Sequence, residues 1–293
     1  MKNVKRTIFI ILFILILIIL IFSIIILTNR NFRFIGHDYK TFDTLVVDSN
    51  YDVNLKNIVV KFDASELEIK ENSENKIGIK IYGDKDKVKL SSDSNKIIVE
   101  TLNKKCTFFC YNVKIPKVYI YIPSNYSGNI DVQSNFGDVS IYSFPLLDVS
   151  INMDSGNLMI EEIKNGVINN SHGDINVTKF VNSLEVNANA GDIEVNKVLK
   201  LNAKNNFGDI KINEVEEYLD ISNDAGSIEV KTLHLEENSK IHNNLGNIKI
   251  GLTNKIKIKT STDLGSVKVN NNYDESAIVL NINNNLGDII VDN

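Results

Sequence analysis

Residues 189–212 read NAGDIEVNKVLKLNAKNNFGDIKI, and this stretch decides the fold. It opens and closes on the same phrase: Asn, any residue, Gly, Asp, then a tail alternating apolar and polar. Gly permits positive φ and short Asn or Asp side chains bond their own backbone, so the phrase is a tight corner. In the tails, Ile193 and Val195, and then Ile210 and Ile212, fall on one face of a strand, because side chains alternate with period 2.

Working outward, the phrase recurs as NFGDVSI at Asn135, DSGNLMI at Asp154, SHGDINV at Ser171, DAGSIEV at Asp224, NLGNIKI at Asn244, DLGSVKV at Asp263 and NLGDIIV at Asn285. With the two copies above this makes nine, at intervals of 17 to 22 residues. SGNIDV at Ser127 reads as a tenth, degenerate copy. A second alternating run precedes most corners, as in LEVNA at Leu184, LKLNA at Leu199, LDIS at Leu219 and IKIKT at Ile256. Each repeat of about 18 residues is therefore read as two short strands joined by a turn. Recurrence of one turn in one register favours a parallel stacked coil, a β-solenoid, over an antiparallel meander. At about 4.8 Å per level, nine levels make a stack of roughly 40 Å.

The remainder of the chain divides cleanly. Ile8 to Leu27 reads IFIILFILILIILIFSIIIL, without a charge, and about 20 such residues span a bilayer as a helix. On an insertion scale the run is worth about −6 to −12 kcal/mol. It is too long for a cleaved leader, and no small-residue cleavage site follows in TNRNFRF. Residues 1–7 are read as a cytoplasmic tail, 8–28 as an uncleaved signal anchor, 29–40 as a juxtamembrane linker and 41–293 as the β-repeat domain. Lys2, Lys5, Arg6 and the terminal amine against Arg30 and Arg33 orient the chain with its N-terminus inside and the domain outside the cell membrane. Within the domain, 41–126 lacks the glycine period but keeps strand-like runs such as NIVVKF and KIGIKIYG, an irregular cap portion before the glycine corners of 127–293. After Ile289 to Val291 come only Asp292 and Asn293, so this last strand is expected to leave an open edge able to self-associate or to receive another β-protein.

These features resemble the bacterial putative-adhesin family of membrane-anchored β-strand-repeat proteins. The likeness rests on the N-x-G-D-I-x-V copies and on the lead-in VKIPKVYIYIPSNYSGNIDVQSNFGDVSI from Val113 to Ile141. It runs from about residue 41 to the end. The resemblance implies an envelope-associated β-solenoid with no defined catalytic set, and no functional residue carries over, because the shared positions are corner and core residues.

Composition excludes some functions. Of 293 residues 43% are hydrophobic and 24% charged, with a net charge of −5 and both signs interspersed, so no basic stripe suits nucleic acid. G-x-S-x-G, a phosphate-binding glycine loop and HExxH are all absent. His37, His172, His234 and His242 are scattered rather than set at metal-ligand spacing. The corner acids Asp138, Asp174, Asp192, Asp209 and Asp288 invite a Ca²⁺ reading. Turn formation explains them better, because Asn157, Asn247, Ser227 and Ser266 replace them in other copies and the G-G-x-G-x-D calcium repeat is not present. Neither catalytic residue, metal ligand nor cofactor is assigned. Cys106 and Cys110, in KKCTFFCYN, are candidates for a loop-stapling disulfide worth roughly 2 kcal/mol, or for free thiols. The reading that results is a non-enzymatic envelope or adhesin-like binding or structural protein. Its partners would be the bilayer, a cell-wall polymer or an envelope protein, and a second copy through the C-terminal edge. An accessory sensor of envelope stress and a polysaccharide-active β-helix enzyme are the alternatives.

Overall fold

In a computed structural model of the chain, residues 40–102, 114–270, 273 and 275–292 are described. The compact unit Lys40–Asn293 contains all of them. Residues 8–28, Cys106, Cys110 and His37 lie outside the described residues. Among the described residues no helix is long and apolar enough to cross a membrane.

The unit is a β-solenoid whose corresponding strands stack in parallel. Ile175 stands over Ile193, then Ile210, Ile228 and Ile248, while Val177, Val195, Ile212, Val230 and Ile250 form the adjoining inward row. The run before each corner makes a second wall, in which Val186, Ala203, Ile221 and Ile241 stack in register. Where two strands per repeat were expected, a third short wall closes the coil: Phe144, Ile163, Val181, Val198, Val215 and Leu233 stack beside their neighbours and are all fully buried. One apolar residue per level is too short a signal for strand alternation to reveal, yet it supplies the third side of the core. Burying each such aliphatic side chain is worth about 1.5–3 kcal/mol, and only stacked neighbours can bury it.

Repeats of unequal length are fitted on either side of the third wall. Register shifts fall before it at Ile160/Glu162, Val177/Phe180 and Val230/Leu233, and after it at Phe144/Asp148 and Val198/Lys200. From the long wall to the glycine, pairing runs without a shift, as in Ala190 against Phe207 against Ala225.

Spatial order departs from chain order at both ends. The strand Ile289–Asp292 lies between Ile248–Leu252 and Val267–Val269, and Val279–Leu286 lies between Ser239–Leu245 and Lys257–Leu264. The C-terminal strand is thus internal, and the expectation that it forms the open edge is corrected: Lys257–Leu264 and Val267–Val269 form the last level. Side-chain chemistry accounts for the inversion. The inserted level turns Leu280, Ile282, Ile289 and Val291 inward, each at most 2% exposed, whereas the outermost level offers Thr260 opposite Ile282. The more apolar segment takes the position with neighbours on both sides.

At the other end Asn57–Phe62 and Glu66–Glu71 likewise sit one level in, beneath Lys96–Thr101 and Lys117–Ile122. Antiparallel strands then cover the end: Lys76–Tyr82 on Lys117–Ile122, Leu45–Asp52 on Lys76–Tyr82, and Val88–Ser92 on Lys96–Thr101. Asn129–Ser134 belongs to the long wall, so the SGNIDV segment is not a corner. Its Gly128 is instead pressed against the Tyr126 hydroxyl and the Lys56 carbonyl oxygen, which a Cβ would meet at 2.3 and 2.5 Å.

Candidate functional site

The glycine corners form a continuous column, Gly137, Gly156, Gly173, Gly191, Gly208, Gly226, Gly246, Gly287 and Gly265, all at positive φ. Two constraints demand glycine. At Gly191 φ is +137°, and a Cβ would stand 2.2 Å from the carbonyl oxygen of Gly173 in the level beside it.

The residue after each glycine ties levels together. Asp174 Oδ1 accepts from the Asp192 amide at 2.9 Å, Asp192 Oδ1 from the Asp209 amide at 2.8 Å, and Asp209 Oδ1 from the Ser227 amide at 2.9 Å. Asn157 and Asn247 do the same for Asp174 and Asp288, and Asp138 accepts from Asn157. Asp288 accepts from both the amide and the hydroxyl of Ser266, which holds its carboxyl below the usual range. This column is a ladder of side-chain acceptors for backbone donors, which explains why Asp and Asn interchange. Among the described residues no group of three or more His, Cys, Asp or Glu is placed to hold a metal.

Three residues before the glycine, an internal amide row reinforces the corner. Asn205, Asn223, Asn243 and Asn284 are at most 2% exposed, and each donates from Nδ2 to a glycine carbonyl of the adjoining level at 2.9–3.2 Å.

The residue immediately before the glycine points outward. In spatial order this row reads Ala190, Phe207, Ala225, Leu245, Leu286 and Leu264. Phe207 is 62% exposed, Leu245 53%, Leu286 42% and Leu264 69%, an apolar ridge following the glycine column toward the last level. An amide row runs alongside: Asn206 donates to Asn189, Asn244 to Asp224 and Asn285 to Asn244, at 2.7–2.8 Å. Sequence reading left this position as any residue. The signal was present in the Phe and Leu of NFG, NLG and DLG, but corner chemistry is indifferent to it, so a repeat search passes over it.

Intercoil ion pairs join Lys179 to Glu161 at 2.7 Å, Lys197 to Glu216 at 2.6 Å, Lys200 to Glu237 at 2.6 Å and Lys240 to Asp220 at 3.1 Å. Near the capped end, Tyr82 packs edge-on to Tyr119, which stacks with Tyr121 at 6.1 Å. Lys70 lies 4.8 Å and Lys117 5.2 Å from the Tyr119 ring centre, and both reach Glu68, at 2.6 and 2.9 Å. Partial burial opposes charge on Glu68, but Lys70 and Lys117 outweigh it and the carboxyl is pushed down. A general acid for glycoside cleavage requires the opposite shift.

Among the described residues the histidines are not brought together. His172 places a ring nitrogen 3.1 Å from the Asp154 carbonyl oxygen, His234 lies beside the third wall with its amide on the Val215 carbonyl, and His242 stands on the long wall between Ser222 and Asn283.

The family described as Toastrack DUF4097 matches residues 55–288. Among solved structures, the chain is similar to a putative adhesin of Bacteroides fragilis, at 16% identity and a TM-score of 0.41, over 87% of this chain and 100% of that one. It is also similar to a putative adhesin of Parabacteroides distasonis, at 10% identity and a TM-score of 0.42, over 86% of this chain and 100% of that one. A third likeness is to a putative cell adhesion protein of Clostridium sporogenes, at 14% identity and a TM-score of 0.23, over 84% of this chain and 99% of that one. No curated protein matches the chain.

Proposed function

Because the chain belongs to the Toastrack DUF4097 family, we propose that it is a non-enzymatic binding protein of the cell envelope. Residues 8–28 anchor it in the cell membrane with the N-terminus inside, and the solenoid presents its surface outside to a cell-wall polymer or envelope protein. The observation that carries this reading is the outward row Phe207, Leu245, Leu286 and Leu264, on a face whose polar neighbours already pair with one another. Apolar groups aligned at one-level spacing suit an extended partner lying along the coil. The ion-paired, downshifted Glu68 gives no support to glycan hydrolysis.

The experiment replaces Phe207, Leu245 and Leu264 together by Ser in the full chain. These side chains are exposed, so thermal unfolding should stay close to that of the parent. Retention of the detergent-purified chain on membrane-free cell walls should fall at least tenfold. Undiminished retention by the folded variant would sink the binding reading, and an altered envelope-stress transcription with retention intact would favour the sensor instead. Protease added to intact cells should digest residues beyond 35; complete protection would overturn the topology.

A further inference from the structure

The two ends of the solenoid are finished differently. Antiparallel strands cover one, but at the other Lys257–Leu264 pairs on one side with Val279–Leu286, and its other side carries no strand among the described residues. The core is open there: Val267 is 44% exposed, although Ile289, its partner one level in, is completely buried. The Lys257 amide is directed at Ile278, within the coil. Alternation along a strand therefore turns the amides and carbonyls of Thr260 and Thr262 to the open side.

The exposed segment, Lys259-Thr260-Ser261-Thr262-Asp263, is self-complementary when read against itself in the opposite direction. About a two-fold axis through Ser261, Lys259 of one copy faces Asp263 of the other, Thr260 faces Thr262, and Ser261 faces itself. All three pairings keep core-facing residues on the core side. Lys259 and Asp263 are also without an ion-pair partner among the described residues, unlike Lys179, Lys197, Lys200 and Lys240 at inner levels. Edge strands at the other end lack this property: Leu45–Asp52 carries only acidic charges and Val88–Ser92 only Lys89.

We infer that this edge is the docking site for a second copy of the chain, which joins end to end through antiparallel pairing of residues 259–263. In that register Thr260 and Thr262 exchange main-chain hydrogen bonds across the axis. Lys259 and Asp263 occupy the non-hydrogen-bonded pairs, where opposed side chains approach most closely. Pairing covers Val267 and closes the open end of the core. The inference is independent of the envelope partner proposed above, because it rests on the main chain and charges of residues 259–263, whereas Phe207 and Leu245 stand on inner levels.

Full-length protein carrying Cys106→Ser and Cys110→Ser tests it, purified in detergent and mildly oxidised after adding Ser261→Cys. The facing Cα atoms then lie within the 4.4–6.8 Å that a disulfide bridges, and a covalent dimer should form. Asn281→Cys, outward on the strand one level in, should give none. Lys259→Asp or Asp263→Lys alone should abolish the Ser261→Cys dimer, and the two together should restore it to the parent yield. Cross-linking no stronger than that of Asn281→Cys, or failure of the double reversal to recover it, overturns the proposal. A Ser261→Cys adduct with a different protein in native membranes, alongside a monomer when purified, assigns the edge to another partner and overturns it equally.

Discussion

At the scale of single residues, the corner glycines carry the strictest demand in the molecule. Replacing Gly191 by Ala adds a left-handed penalty of about 1–2 kcal/mol and a close contact with the Gly173 carbonyl that relaxes only by shifting the column. A loss of about 2–5 kcal/mol is expected, read as a lower urea midpoint for the full chain, while Ala at exposed Glu194 should change it by under about 0.5 kcal/mol. Acid should also weaken the capped end. The Glu68 carboxyl is held below its ordinary value, so its contribution is complete at neutral pH, where both folded and unfolded states are ionised. It is lost as pH falls from the unfolded value through the lowered folded one, because the unfolded state binds the proton first. Glu68→Gln should therefore flatten the pH dependence of the midpoint in that window; an unchanged slope would assign acid sensitivity to other carboxylates. The glycine and the acid beside it were readable in the sequence because turn chemistry restricts both. Phe207 and Leu264 were not, since nothing local requires an apolar residue there.

Among the elements, the inserted C-terminal level is the most consequential. Val279–Leu286 and Ile289–Asp292 fill a slot between two levels that precede them in the chain. Removing residues 278–293 takes away Leu280, Ile282, Ile289 and Val291 and leaves Lys257–Leu264 without its neighbour. The outermost level, Lys257–Leu264 with Val267–Val269, should then unfold. Limited trypsin digestion should newly cut after Lys257 and Lys259, and continued protection of residues 257–269 in the truncated chain would contradict the insertion. Parallel stacking was legible, because one turn recurs in one register. The stacking order was not, since every level carries the same motif and the motif does not encode its neighbour. The threonines at 260 and 262, where the five levels next inward carry Ile, Ala or Val and Asn or Ala respectively, were the available clue to an outermost position.

For the whole unit, stability comes from repetition. Each level contributes a few buried aliphatic residues, and its corner is tied to the next by an Asp or Asn acceptor and, at several levels, by an internal Asn. Among the described residues its distinctive surfaces are linear: the ridge beside the glycine column and the edge of the last level. The fold class was accessible from sequence because repetition multiplies a weak local signal. The surfaces were accessible only from stacking, which converts residues about 18 apart into neighbours. Register shifts confined to the two bends that flank the third wall add one more property. Extra residues accumulate there at no cost to the glycine line. A residue inserted beside the third wall is absorbed without moving the ridge, whereas one inserted between the long wall and the glycine would take Phe207 or Leu245 out of line.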